Sequence, residues 1–223
     1  MGIFDNLFSK AESDEDVALQ LFESQGLGGK IGRKAQKILN SCHSKQEILL
    51  KSIELCGPNP TTPKQLYIVS HCYVWLGAKY RPQAIEYLNK YIDAGAQWEG
   101  TPQGTIKMDG YSVNQLNANR ASVYNYLGKA YEGEYDFDKA EEAYLNAEKL
   151  EPYCAGYSVC VSNIYIKKNH LDQAMQYLEK KKALSYYKGN ADNYKTLIDA
   201  AINDVSEKIT KGYTYKPRKK KNG

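Results

Sequence analysis

One pattern of aromatic, small and apolar residues recurs along the chain at an interval of 34 residues. From the middle copy to the last, Tyr131 corresponds to Tyr165 and Ala140 to Ala174. The middle copy also matches 56 residues upstream, where Trp75 corresponds to Tyr131. The longer interval equals the shorter one plus an insertion of about 22 residues. A period near 34 residues predicts stacked helical hairpins, because each hairpin buries its apolar face only against a neighbour.

Local signals within the copies predict where their helices begin and end. Apolar residues three and four apart form one stripe on each helix of the middle copy. Gly133 suits the end of the first helix, and Asp136 or Asp138 suits the N-cap of the second. In the first copy, NPTTPKQL places Thr62 at an N-cap and Pro63 at the first helical position, with a glutamine completing a capping box.

The middle copy, VYNYLGKAYEGEYDFDKAEEAYLNAEKLEP, resembles a tetratricopeptide repeat (TPR). It carries the signature sites of that family at Tyr124, Leu127, Gly128, Tyr131, Ala140, Tyr144, Ala147 and Pro152. The third copy (about 155–188) and the first (about 65–98) keep fewer of these sites, and His71 and Cys72 replace the usual Leu-Gly in the first. The resemblance implies an all-α fold, a right-handed superhelical α-solenoid of three TPR hairpins with helical caps.

The small residues Gly128, Cys72 and Ser162 occupy one equivalent site in the three copies. Two helices approach closely only where such a site lacks bulk. These three residues are therefore predicted to mark the helix–helix contact within each hairpin.

The hairpins are predicted to span 62–188, with helical segments on both sides. Residues 1–60 hold helical candidates at about 13–24, 31–41 and 44–56, which form either an N-terminal cap or a degenerate repeat. Before them, a short apolar stripe is predicted to pack onto the body or a partner rather than to lie on a membrane: Ile3, Phe4, Leu7 and Phe8.

The segment 190–211 is predicted to be a C-terminal capping helix with one apolar and one polar face. The predicted packing face consists of Tyr194, Leu197, Ile198, Ala201, Ile202, Val205 and Ile209. A basic tail, 212–223, follows this helix.

Residues 96–117 are predicted to form an insertion between the first and second hairpins. The sequence AGAQWEGTPQGTIKMDGYS is rich in Gly, Thr and Pro and has no helical period. Long loops in compact proteins are either functional or disordered. Two interpretations therefore stand: the loop folds back with Trp98 tucked into the hairpins, or it grips a partner through Trp98.

The composition fits a globular chain, with 25% charged and 42% hydrophobic residues. No run of eighteen apolar residues exists, and the start resembles neither a secretory signal nor a myristoylation signal. The five cysteines are an odd, irregularly spaced set without a CxxC pair, as expected for free thiols in a reducing compartment. The sequence therefore predicts a cytoplasmic protein.

The motifs that suggest chemistry have stronger structural interpretations. GLGGKIGRK lacks the leading glycine and the hydroxyl residue of a phosphate-binding loop, so we expect a helix connector. Cys42-His43 and His71-Cys72 are adjacent residues, which do not converge on one metal from a helix, and His71 and Cys72 fill packing sites. We therefore expect no catalytic residue, no metal site and no cofactor, and hence no enzyme.

The TPR resemblance implies a scaffold or adaptor that binds a peptide or a partner helix in a concave groove lined by the first helix of each hairpin. The implied groove residues are Leu66, Val69 and Tyr73 from the first hairpin, Ser122, Asn125 and Lys129 from the second, and Val159, Asn163 and Lys167 from the third. The polar members suit hydrogen bonds to a peptide backbone or a carboxylate, although exposed helix positions are commonly polar without binding anything. The expected partner is amphipathic, with an acidic part near Lys129 and Lys167.

The alternative is a nucleic-acid-associated protein that uses the basic tail. KGYTYKPRKKKNG (211–223) contains six basic and no acidic residues, and its aromatic residues Tyr213 and Tyr215 suit base stacking. The net charge of +4 becomes −2 without the six tail charges, so the body itself does not attract phosphate. This alternative is therefore weaker than groove binding.

Overall fold

The computed structural model describes residues 12–108, 111–190 and 193–217. The apolar stripe at Ile3–Phe8 and the last part of the basic tail, 218–223, lie outside the described residues. The chain divides into two compact units, Met1–Tyr91 and Ile92–Gly223. The described secondary structure is helical apart from one short β-hairpin.

The first unit holds α1 (Asp14–Glu23), α2 (Arg33–Ser41), α3 (Lys45–Leu55), α4 (Pro63–Leu76) and most of α5 (Arg81–Asp93). Two of these helices begin at capping boxes. Ser13 and Thr62 each accept from a backbone N–H and are completed as capping boxes, the second with Pro63 at the first position as predicted. The glycine-rich segment between α1 and α2 is a connector, as the sequence predicts.

Aromatic rings hold the core of the first unit together. Phe22 of α1 packs edge-on against Tyr67, with ring centroids 5.7 Å apart, and lies 4.6 Å from the ring of Trp75. His71 and Cys72 are buried beside these rings, so the prediction that both are packing residues is confirmed. Tyr67 and Tyr91 lie 5.9 Å apart and join α4 to α5 as a hairpin.

The second unit holds β1 (Thr105–Met108), β2 (Tyr111–Asn114), α6 (Gln115–Gly133), α7 (Phe137–Leu150), α8 (Ala155–Lys167), α9 (Leu171–Lys181), α10 (Ser185–Gly189) and α11 (Tyr194–Thr210). Each long helix packs against the next: α6 on α7, α7 on α8, and α8 on α9, while α11 packs on both α8 and α9. The core between them includes Tyr144, Ile164, Leu178 and Ile198.

The turns inside the two hairpins of this unit have the same left-handed backbone conformation at equivalent positions. Tyr135, between α6 and α7, has φ +65°, and Asn169, between α8 and α9, has φ +62°. These residues are 34 positions apart in the sequence. Asp136 then caps α7 by accepting from the Lys139 N–H at 3.3 Å, so Asp136 rather than Asp138 is the cap.

The small-residue site acts as predicted in the second hairpin. A Cβ added to Gly128 would lie 2.6 Å from the ring of Tyr144, so only glycine allows α6 and α7 to approach so closely. Cys72 and Ser162 are buried at the equivalent positions. The hairpins α4–α5, α6–α7 and α8–α9 therefore lie where the 34-residue pattern predicts them.

Two local features differ from the predictions. The insertion contains an antiparallel β-hairpin, in which Thr105 pairs with Asn114 and Ile106 with Val113. On α11, Tyr194, Ile198 and Val205 are buried, but Leu197 and Ile209 are 42% and 40% exposed. The predicted packing face is too wide, because Leu197 lies about 80° around the helix from the centre of the buried stripe.

Candidate functional site

The predicted groove residues of the first hairpin do not form an open surface. Leu66 and Val69 are only 5% and 1% exposed and belong to the core, so neither is available to a ligand in this structure. Tyr73 is half-buried and stacks between two neighbours, with its ring centroid 5.9 Å from that of Tyr80 and 5.6 Å from that of Tyr87. The first hairpin therefore contributes a tyrosine stack rather than an apolar groove wall.

The second and third hairpins bring two of their predicted residues, Lys129 and Lys167, onto one surface around Cys160 and Glu132 in the second unit. Lys167 of α8 forms an ion pair with Glu132 of α6, which joins the two helices across 35 positions of sequence. Cys160 of α8 lies close enough to Lys129 and Glu132 for both charges to act on its thiol. Burial raises the pKa of the Cys160 thiol to about 11, with the Glu132 carboxylate adding to the rise.

Some of the predicted polar residues form hydrogen bonds or ion pairs within the protein, and others do not. Lys167 is engaged by Glu132, and Ser122 lies within hydrogen-bonding reach of the Tyr157 hydroxyl. Asn125, Lys129 and Asn163 form no side-chain hydrogen bond or ion pair within the part of the chain that the structure describes. Lys129 and Asn163 are also exposed, so a partner reaches both without rearrangement.

A crevice of about 280 Å³ runs between α8 and α11, and we call it the α8–α11 crevice. Its lining consists of Val159, Ser162, Asn163, Ile166, Leu197, Ala200, Ala201 and Asp204. Two predicted groove residues, Val159 and Asn163, thus form one wall, and the C-terminal helix supplies the other. The hydroxyl of Ser162, a residue only 1% exposed, has no hydrogen-bond partner among the described residues.

The sequence interpretation missed the contribution of α11 to this site. The sequence predicts Leu197 on the packing face, whereas its exposed side chain lines the crevice. Asp204, from the polar face, lines the crevice as well and forms an ion pair with Lys208. The available signal was the width of the apolar stripe, which exceeds what two neighbouring helices can cover.

Trp98 folds back into its own loop in the insertion. Its ring lies over the backbone of Gly100, where an added Cβ would come within 2.0 Å of the ring. The Trp98 backbone N–H donates to the Thr101 hydroxyl at 2.8 Å. The indole is half-buried, so part of its surface remains open to a partner.

The tail is attached to the third hairpin as far as the structure describes it. The Tyr215 N–H donates to the Asn169 side-chain oxygen at 2.6 Å, and the Tyr215 ring packs edge-on against Phe137 at 5.9 Å. Tyr213 is 40% exposed, with the Lys208 ammonium 5.8 Å from its ring centroid. Of the two tyrosines suited to base stacking, Tyr215 is therefore half-buried with one edge-on ring contact, and Tyr213 is the more exposed.

The titratable groups considered for chemistry occupy structural positions. Burial lowers the pKa of His71 to about 4, and the hydrogen bond to the Tyr67 carbonyl at 2.8 Å opposes this change only in part. Among the described residues, no three His, Cys, Asp or Glu side chains converge to hold a metal ion. None of the described helices is both long and apolar enough to cross a membrane.

No family model matches the chain, and no curated protein matches it. Solved structures of low sequence identity show a partial likeness to the chain. One crystal structure of MamA is 15% identical to this chain, and the alignment covers 82% of this chain and 98% of the MamA chain. A second crystal structure of MamA is 16% identical, with 92% of this chain and 99% of the MamA chain covered. Both have a TM-score of 0.47. A crystal structure of a Podosopora anserina putative kinesin light chain with nearly identical TPR-like repeats is 12% identical, covers 91% of this chain and 99% of its own, and has a TM-score of 0.48. Because these TM-scores lie below 0.5, the description of the helical hairpins rests on the geometry given above.

Proposed function

We propose that the protein is a non-enzymatic interaction scaffold that binds a peptide or partner helix on the surface formed by α6, α8 and α11. The observation that carries this proposal is the pair Lys129 and Asn163, whose exposed polar groups have no hydrogen-bond or ion-pair partner among the described residues. Asn163 lines an apolar crevice, and Lys129 lies near Cys160, which is one helical turn from Asn163 on α8. A cation, an amide and an apolar cleft side by side are the elements of peptide recognition. The expected partner remains amphipathic, with its acidic part at Lys129; since Lys167 is neutralised by Glu132, Lys167 contributes little to attracting it.

The cytoplasmic setting is part of the same proposal. It rests on the five cysteines, all of which are free thiols. We also propose that α11 caps the C-terminal end of the helical hairpins, and that the domains have the limits predicted from the sequence.

The test is a quantitative pull-down from the native cytosol at physiological salt with three baits. The intact chain is compared with a Lys129→Glu, Asn163→Ala variant and with a control, Lys149→Glu, which makes the same charge change on an exposed lysine of α7. We expect a protein that is recovered with the intact chain and the control but lost with the double variant. Equal recovery by all three baits would contradict the proposal.

The nucleic-acid alternative is tested in the same eluates. Nucleic acid recovered with every bait, and lost when residues 212–223 are removed or the salt is raised, would favour the tail. The attachment of Tyr215 to Asn169 and Phe137 holds part of the tail against the folded chain, and its half-buried ring offers less surface for stacking than a fully exposed one.

A further inference from the structure

The α8–α11 crevice has walls suited to an aliphatic side chain. Val159 and Ile166 form one wall, and Leu197 and Ala200 the other. Its volume of about 280 Å³ is several times the roughly 30 Å³ that a water molecule occupies in the liquid. Leu197 is 42% exposed at the rim, so an apolar ligand group entering the crevice would cover surface that water now wets.

The floor of the crevice holds an unsatisfied polar group. Ser162 is 1% exposed, and its hydroxyl has no partner among the described residues. Burying a hydroxyl without a hydrogen-bond partner is unfavourable. The Ser162 oxygen is itself covered, so it is not open to a ligand, and the backbone contact of a ligand falls to the exposed Asn163 amide on the same helix.

The charges around the crevice are asymmetric. On the α6 side, Lys129 has no ion-pair partner among the described residues, whereas Lys167 is neutralised by Glu132. On the α11 side, Asp204 is paired with Lys208. Of the side chains Lys129, Lys167 and Asp204, only Lys129 has no oppositely charged partner among the described residues, so it favours a carboxylate on the ligand.

We propose that the α8–α11 crevice binds an aliphatic side chain of a partner segment, whose backbone contacts Asn163 and whose neighbouring carboxylate pairs with Lys129. This inference rests on the proposed function and specifies the chemistry of its ligand. The partner is thus a protein segment that combines one branched aliphatic residue with one acidic residue, rather than a purely acidic tail.

The test uses a displayed library of random twelve-residue peptides, panned against the intact chain. Enriched peptides are synthesised, and their Kd is measured for the intact chain and four variants. Leu197→Asp places a charge at the rim of the crevice, and Ile209→Asp is its matched control, because Ile209 is an equally exposed apolar residue of α11 outside the crevice lining. Lys129→Glu and Lys149→Glu form the second pair.

We expect the enriched peptides to share an aliphatic and an acidic residue at a fixed spacing. Their Kd should rise about tenfold or more with Leu197→Asp and several-fold with Lys129→Glu, and stay unchanged with both controls. Panning against Lys129→Glu should select a basic residue in place of the acidic one.

The opposite results separate the two levels of the proposal. Peptides that lose binding to Lys129→Glu but bind Leu197→Asp as tightly as the intact chain would overturn the crevice assignment and leave the proposed function standing. Peptides that bind all four variants equally, or no enrichment over the bare support, would overturn both.

Discussion

At the scale of single residues, one equivalent position of the repeat is occupied by a different residue in each of the three hairpins. Gly128, Cys72 and Ser162 all lie where two helices approach closely, but they fill the contact differently. Gly128 leaves room for the Tyr144 ring, Cys72 is a small apolar filler, and Ser162 leaves a buried hydroxyl without a partner among the described residues. The same position of the repeat therefore allows close helix packing in the second hairpin, and in the third it carries a hydroxyl without a hydrogen-bond partner among the described residues, beside the crevice.

Gly128→Ala should lower the free energy of unfolding by about 1–3 kcal/mol, because the new Cβ would overlap the Tyr144 ring. Urea unfolding followed by far-UV circular dichroism measures this loss. The control is Gly156→Ala in α8, where the nearest atom to an added Cβ is 3.7 Å away. Its stability should stay the same or rise slightly, since alanine is the better helix former. Equal losses for both variants would contradict the assignment.

His71→Leu should remove a pH dependence of stability. The pKa of His71 is about 4 in the folded protein and near 6.5 when the chain unfolds, so between these values the unfolded state binds more protons. The stability contributed by neutral His71 is present above about pH 6.5 and is lost as pH falls toward 4, by up to about 1.4 kcal/mol per pH unit.

Urea unfolding across this pH range, for the intact chain and the variant, measures the difference directly. Effects of the carboxylates cancel in that difference, because both proteins carry them. The intact chain should lose stability relative to the leucine variant as pH falls. Parallel curves would show that His71 is not a buried neutral imidazole.

At the scale of elements, the α8–α9 turn has two roles that depend on one side chain. Asn169 adopts the left-handed conformation that the turn requires, and its amide oxygen accepts from the Tyr215 N–H. The tail is therefore attached to the third hairpin by a residue that also shapes the hairpin. The ring of Tyr215 adds an edge-on contact to Phe137 at the start of α7.

Asn169→Gly should release the tail and leave the turn intact, because glycine accepts the same backbone angles but has no side chain. The amide of Tyr215 should exchange with solvent faster, on the order of tenfold, in hydrogen-exchange mass spectrometry. Asn190→Gly is the control, since Asn190 is another left-handed asparagine whose side chain binds the Lys195 N–H at 3.1 Å instead of the tail. Unchanged exchange at Tyr215 in the Asn169 variant would contradict the attachment.

Local signals decided which elements could be predicted from the sequence. The cap at Thr62 was predicted, and the cap of α7 was narrowed to Asp136 or Asp138, because caps depend on residues within one turn. The β-hairpin of the insertion was not predicted, although Asp109-Gly110 is a common hairpin dipeptide, because its strands are only four residues long.

Contacts between distant residues could not be predicted in this way. The pairing of Lys167 with Glu132 is not visible in any local pattern, since 35 positions separate the two residues. The crevice was missed for the same reason, as Val159 and Leu197 meet only through the packing of α8 and α11.

At the scale of the whole molecule, each compact unit has its own core. The second unit buries Tyr144, Ile164, Leu178 and Ile198 in one cluster. We therefore expect the fragment 94–223, which begins after the end of α5, to fold by itself. Far- and near-UV circular dichroism with thermal unfolding tests this expectation. A helical spectrum with a cooperative transition is the expected result, and a gradual transition without near-UV signal would show that the second unit needs the first.

The free thiols are distributed over both units. Burial raises the pKa of Cys56 to about 12 and also raises that of Cys72 in the first unit, while Cys160 in the second has a pKa of about 11. Since the thiolate is the reactive species, alkylation at neutral pH is slow until the surrounding helices open. Iodoacetamide consumption, resolved by peptide mass, therefore reports how often each unit opens, and the native chain needs no engineered label for this measurement.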